Sequence, residues 1–243
     1  SNSIDSIWSK PDDSKNVDAL SIFGVSQCYP LLLSAYEVLS DSEFTKLLRD
    51  CVIISFRYNV IGGLNPNIME DVYNKAAIKI AKNEVSTSRE IFNDLKSIYV
   101  TDENFKSAFS TKIINSKRYR KLVRYILFCL EKQISGNSYD DSDTKITIEH
   151  ILPENASDIW NKYFNVDEQD IYTYRLGNYT LLEDGKNKDC GDKLYEEKLP
   201  IYETSRYSIT KEYCIFEEWT PASLRKRQDK LANFASSIWK INY

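Results

Sequence analysis

The sequence predicts a mainly helical protein of the α+β type. An all-helical domain spans residues 1–140, and a smaller β-β-α core wrapped by helices spans 141–243. Three observations carry this expectation. Apolar residues recur at helical spacing through roughly the first 135 positions. Two short stretches rich in β-formers, 145–148 and 179–182, fall in the second part. Between the parts lies 136–144, Gly-Asn-Ser-Tyr-Asp-Asp-Ser-Asp-Thr, a polar and turn-rich link that marks the domain boundary.

In chain order, Pro30 opens a helix whose Leu31, Leu32, Leu33, Ala35, Val38 and Leu39 are apolar on most sides. Asp41 or Ser42 is placed to cap the next, which carries Phe44, Leu47, Leu48, Cys51 and Val52 on to Phe56. Gly62-Gly63 ends it. Asn65-Pro66 starts a third helix through Met69, Val72, Tyr73, Ala76, Ala77 and Ile80, with proline in its favoured first turn. Residues 86–88 offer caps for Ile91, Leu95 and Ile98, and Asp102 does so for Phe105, Ala108 and Phe109. A helix over 116–135 sets Leu122, Ile126, Leu127 and Leu130 on one stripe. Lys117, Arg120, Lys121 and Arg124 make another at i, i+3, i+4, i+7. Such a basic stripe is ordinarily a solvated face, and contact with a phosphate backbone is its functional alternative.

Beyond the link, a strand over 145–148 delivers Glu149-His150. A helix follows through Ile159, Trp160 and Phe164. Leu176-Gly177-Asn178 is a turn into the second strand. Asp184-Gly185 then turns the chain into one helix, from near Lys186-Asn187 through Leu194, Tyr195 and Leu199. A final amphipathic helix carries Leu224, Leu231, Phe234 and Ile238-Trp239.

Composition narrows the classes. With 243 residues and a net charge of −4, the surface is not basic overall, although a local basic patch remains open. No apolar run approaches the ~18 residues of a membrane span, and no signal-like segment opens the chain. Five cysteines, an odd number without a C-x-x-C pair, fit reduced thiols in a cytoplasm better than a disulfide or zinc scaffold. The opening Ser1-Asn2-Ser3, without methionine, suggests a fragment of a longer protein.

His150 is the single histidine, so any imidazole chemistry has only this residue to use. Strand–His, turn–Asn, helix–Asn is an order with a chemical rationale. Cutting a phosphodiester needs a base for water, positive charge on the phosphate, and a scaffold that fixes both. His150 suits the base. A hard cation, Mg²⁺ or Mn²⁺, would take oxygens such as Glu149 and the Asn187 amide. Asn178 is placed to brace the loop that carries His150. Lys186 and Lys188 flank Asn187, while Arg120, Arg124, Arg225 and Arg227 are further candidates for DNA contact. Taken singly, each residue also fits a plainer role: Glu149 a solvated strand-end acid, Asn178 a turn residue, Asn187 a helix cap, the lysines solvation. A serine or cysteine hydrolase would also need His150, but no G-x-S-x-G elbow accompanies it.

Ile148-Glu-His-Ile-Leu-Pro153, Tyr174-Arg-Leu-Gly-Asn-Tyr-Thr-Leu-Leu182, Asn187, Lys198 and Ser205 together resemble the C-terminal HNH-type nuclease domain of the GmrSD-like restriction and phage-defence family. Trp219, Leu224-Arg-Lys-Arg227, Leu231 and Ile238-Trp239 are similar to its closing helix. Tyr29-Pro-Leu-Leu-Leu33 and Ser55-Phe-Arg-Tyr-Asn-Val60 resemble the helical region that precedes it. The resemblance implies a ββα-metal core, His150 as general base, Asn178 as the middle asparagine, and Asn187 as the final helix position by the metal. Glu149 takes the place of the acid before the base. It also implies DNA, plain or modified, as substrate, and an N-terminal nucleotide-hydrolysing domain as partner. No G-x-x-x-x-G-K-[ST] loop for such a domain occurs in this chain. A catalytically silent module that binds DNA or protein is the alternative.

Overall fold

The computed structural model describes residues 11–243. The opening tripeptide lies outside the described residues. The chain is mainly helical with one two-stranded antiparallel sheet. It divides into two compact units, the residues up to Phe105 with Trp239–Tyr243, and Lys106–Ile238.

The first unit contains α1 (Pro11–Phe23), α2 (Tyr29–Val38), α3 (Asp41–Ser55), α4 (Pro66–Ala81), α5 (Ser88–Leu95) and the start of α6 (Asp102–Thr111). Pro30 sits in the first turn of α2, where its missing N–H costs nothing. The cap of α3 is Ser40, accepting from the Glu43 N–H; Asp41 and Ser42, the expected caps, lie inside the helix. Asn65 caps α4, and Thr87 with Glu90 forms a reciprocal capping box on α5. After α3 the chain widens into a π-helical stretch, Phe56–Ile61, which buries Arg57. The Arg57 guanidinium donates to the Val100 carbonyl (2.7 Å) and to Asp102 (2.6 Å).

The second unit opens with the end of α6 and α7 (Arg120–Ser135). Asn115 Oδ1 accepts from the Lys117 and Arg118 N–H groups, so the residues before Arg120 form a turn rather than the expected first helical turn. Val123 joins Ile126, Leu127 and Leu130 on the buried face, with Leu122 only half-buried. The division into these two units falls between Phe105 and Lys106, and α7 is tied across the polar link. Arg124 donates to the carbonyls of Asp141, Asp143 and Ile146, and buried Glu131 accepts from the Ser208 and Ile209 amides.

Strand β1 (Ile146–His150) pairs with β2 (Tyr179–Glu183), Glu149 opposite Thr180 and His150 opposite Tyr179. Between them come a 3₁₀ segment Asp158–Lys162 in place of the expected helix, α8 (Gln169–Thr173), and the 3₁₀ turn Leu176–Asn178. Helix α9 (Asp184–Cys190) follows β2 directly. Gly191, at φ +48°, ends it, so the one expected helix is two, α9 and α10 (Tyr195–Glu203). Helices α11 (Ser208–Lys211) and α12 (Pro221–Ile238) complete the unit. Its core gathers Leu152, Trp160, Phe164, Leu182, Tyr202 and Trp219. Gly177 is required by close approach: a Cβ there would lie 2.8 Å from Gln228 Cβ and from the Leu224 carbonyl on α12. No helix among the described residues is long and apolar enough to cross a membrane.

Candidate active site

His150 ends β1 with its side chain only 15% exposed. Its Nε2 lies 2.9 Å from Ser116 Oγ and 3.3 Å from Glu154 Oε1, and the Ser116 hydroxyl donates to the same Glu154 oxygen at 3.2 Å. The Tyr179 ring packs edge-on against the imidazole at 4.9 Å, while its phenol donates to the Ile114 carbonyl. Lys117, with 60% of its side chain exposed, sets its Nζ 3.7 Å from Glu154 Oε2. Burial first, and then the charges of Lys198 and Lys117, push the His150 pKa down to about 3. The imidazole is therefore neutral near pH 7.

The loop after His150 is fixed by Asn178, which is fully buried. Its Oδ1 accepts from the Leu152 N–H (2.8 Å) and from Trp219 Nε1 (3.2 Å). Its Nδ2 donates to the Leu152 and Thr173 carbonyls at 2.9 and 3.0 Å. All four hydrogen-bonding positions of the amide are thus committed to backbone and core. Gly177, just before it, lets α12 come close enough for this packing.

Glu149 does not share the surroundings of His150. Adjacent residues on a strand point to opposite faces. Glu149 turns into the core under α10, where its Oε1 accepts from Lys198 Nζ and from the Tyr202 phenol, both at 2.8 Å. Lys198, itself fully buried, also donates to the His150 and Ile151 carbonyls. Burial pushes the Glu149 carboxyl up, against the pull of Lys198 and Tyr202. The Asn187 amide donates to Thr147 Oγ1 (2.8 Å) and to the Ile148 carbonyl (3.0 Å), pinning α9 to β1. The expected ligand pair for a divalent cation does not fit this geometry. Glu149 is buried and already neutralised by an ammonium, and no cluster of three His, Cys, Asp or Glu side chains occurs among the described residues.

The basic candidates separate sharply. Arg227 is fully buried and donates to the carbonyls of Gly177, Tyr179, Tyr213 and Ile209, so it is a strut of the fold and not a surface contact. Arg124 spends its donors on the 141–146 loop. Lys186 holds Glu183 and the Thr204 carbonyl, Lys188 pairs with Asp184 on the surface, and Arg225 reaches the Tyr172 phenol. Arg120 is exposed, as are Lys117, Arg118 and Lys121 on the turn and helix start next to Ser116.

Three residues around the site escaped sequence reasoning as participants, Ser116, Glu154 and Tyr202, while Lys198 enters there only among the residues that carry the resemblance. Only Glu154, four positions after His150, carried a spacing that hinted at contact. Ser116 and Glu154 do not complete a hydrolase triad with His150. Both lie on the same ring nitrogen, so the imidazole has no second nitrogen engaged through which to relay a proton between them.

The model of the GmrSD restriction endonucleases, C-terminal domain, matches residues 99–234, more than half of the chain. No curated protein matches it. The matched segment contains both strands, α9, and the His150, Asn178, Glu149 and Lys198 constellation. This chain belongs to the GmrSD restriction endonucleases through their C-terminal domain, and is thus a restriction endonuclease-related domain whose substrate class is DNA.

Proposed function

We propose that this domain cuts DNA by hydrolysing phosphodiester bonds in an HNH-type arrangement of β1, β2 and α9, with His150 as general base. The observation that carries this reading is a neutral imidazole on a loop locked by Asn178, beside a run of exposed cations, Lys117, Arg118, Arg120 and Lys121, of which Lys117 also meets Glu154. His150 would take the proton of a water as its oxygen bonds to phosphorus and the ester oxygen leaves, protonated from solvent. An anionic phosphate drawn in by these cations favours the imidazolium, so basicity rises as substrate binds. Of the pair first expected, Mg²⁺ or Mn²⁺ would find only the side-chain carbonyl oxygen of Asn187, whose amide nitrogen is held by Thr147 and Ile148. The roles assigned here therefore belong to the chain's own residues. In the parent protein the domain would act in the cytoplasm beside a nucleotide-hydrolysing N-terminal domain.

The test is cutting of supercoiled plasmid, modified and unmodified, with Mg²⁺, Mn²⁺ or chelator. His150→Ala should lose roughly 10²–10⁴-fold in rate; cutting at the wild-type rate overturns the assignment. One observation favours a second reading, a silent DNA-binding module: the sequestration of Glu149 by Lys198. That reading predicts no cleavage by the wild type, with salt-sensitive binding that weakens in Arg120→Ala and Lys121→Ala.

A further inference from the structure

We infer that Ser116 and Glu154 hold His150 as the Nε2–H tautomer, making Nδ1 the atom that accepts the proton. This deepens the proposed function and rests on it for its catalytic part only. Donor and acceptor accounting decides the tautomer. Ser116 has one hydroxyl hydrogen, and its takers are Glu154 Oε1, 3.2 Å away, and the phenol oxygen of Tyr179, whose own proton goes to Ile114. Ser116 Oγ is then left to accept, and Nε2 at 2.9 Å is the donor that meets it. Glu154 Oε1, at 3.3 Å from the same nitrogen, is a second acceptor. A lone pair on Nε2 would face a carboxylate oxygen that has no proton to offer.

The other ring nitrogen differs. Among the described residues no hydrogen bond reaches His150 Nδ1, and it is not one of the solvent-sealed polar atoms left without a partner. The Tyr179 phenol does not compete for it, since its proton goes to the Ile114 carbonyl. The charged and titratable groups facing the ring are Glu154, Lys117, Tyr179 and, through the backbone carbonyl of His150, Lys198. Glu154 is the only anion among them. It is placed to stabilise the imidazolium that forms when Nδ1 takes the proton of water, while Nε2 keeps its own. Ser116 and Glu154 are accordingly positioning residues.

The lone histidine makes the test clean. Protein labelled with ¹⁵N at histidine yields one pair of ring nitrogen resonances. The expected result near neutral pH is an unprotonated Nδ1 and a protonated Nε2, shifting toward a mixture in Ser116→Ala with Glu154→Gln. A protonated Nδ1 in the wild type, or an unchanged tautomer in the double variant, overturns the inference. In plasmid cutting, Glu154→Gln should lower kcat roughly 10–100-fold with KM unchanged, and Glu154→Asp should restore part of it. Cutting by Glu154→Gln at the wild-type rate also overturns it. The resonances are read without any cleavage, so an inactive protein, or a fully active His150→Ala, would sink the nuclease reading while leaving the tautomer to be decided by itself.

Discussion

Lys198→Met tests whether a buried ion pair, rather than a metal, satisfies Glu149. In the wild type the ammonium lies 2.8 Å from Glu149 Oε1 with both side chains sealed from water. Removing one partner of such a pair typically costs about 3–5 kcal/mol, because the other charge stays buried. Tyr202 still donates to the same oxygen at 2.8 Å, which places the expected loss near 3 kcal/mol. At about 2–4 °C per kcal/mol for a chain of this size, the melting temperature should fall by roughly 6–12 °C. The loss must also depend on pH. Burial already raises the Glu149 carboxyl, and without Lys198 it rises further. A carboxyl that binds its proton more tightly in the folded state than in the unfolded one gives stability that is present at low pH and lost as pH rises through the folded value. The deficit should therefore be smaller at pH 5 than at pH 8. Glu149→Gln combined with Lys198→Met removes both charges, keeps an acceptor for Tyr202, and should recover most of the loss. Thermal melts at both pH values, followed by tryptophan fluorescence, read all of this. A Lys198→Met deficit below about 1 kcal/mol, or one indifferent to pH, refutes the reasoning.

Gly177→Ala should destabilise the second unit by about 1–3 kcal/mol in urea titration, since its Cβ would press on α12 at 2.8 Å. Arg227→Met and Arg120→Ala should part company. The first melts earlier by several degrees, because four backbone carbonyls lose a buried donor. The second leaves the melt unchanged and lowers the salt slope of DNA binding by about one. Stability should also fall as pH drops from about 6.5 toward 3. Over that window the unfolded chain protonates its histidine while folded His150, held to about 3, does not; His150→Gln should flatten this limb in melts taken across it.

The helical punctuation was legible because it is local. Pro30, Asn65-Pro66 and Thr87 with Glu90 sit at helix starts for reasons contained within four residues. What sequence could not show were choices settled at long range. The polar link 136–144 looks like a boundary by composition, yet Arg124 and Glu131 reach from α7 to elements on its far side. The basic stripe at i, i+3, i+4, i+7 likewise dissolves. Asn115 stops the helix short of Lys117, and Arg124 is drawn off by loop carbonyls. The helix broken at Gly191 was readable in principle, since a glycine followed by Asp and Lys offers a left-handed stop.

The site shows the same division at finer grain. Glu149-His150 stand next to each other in sequence, and adjacency invites the thought that both face one ion. On a strand it argues the reverse, because the period of two sends neighbours to opposite faces. Glu149 goes to the α10 side and meets Lys198; His150 goes to the Ser116 turn and meets Glu154, whose place four residues on is reached only because Asn178 holds the intervening loop. The acid that serves the imidazole is thus not the one beside it in sequence. The nearest exposed positive charge comes from Lys117, on the turn before α7 and outside the β-β-α core altogether. A nuclease reading built on the core alone would omit the residues that set the histidine's tautomer, and those residues are where the reading is most directly exposed to test.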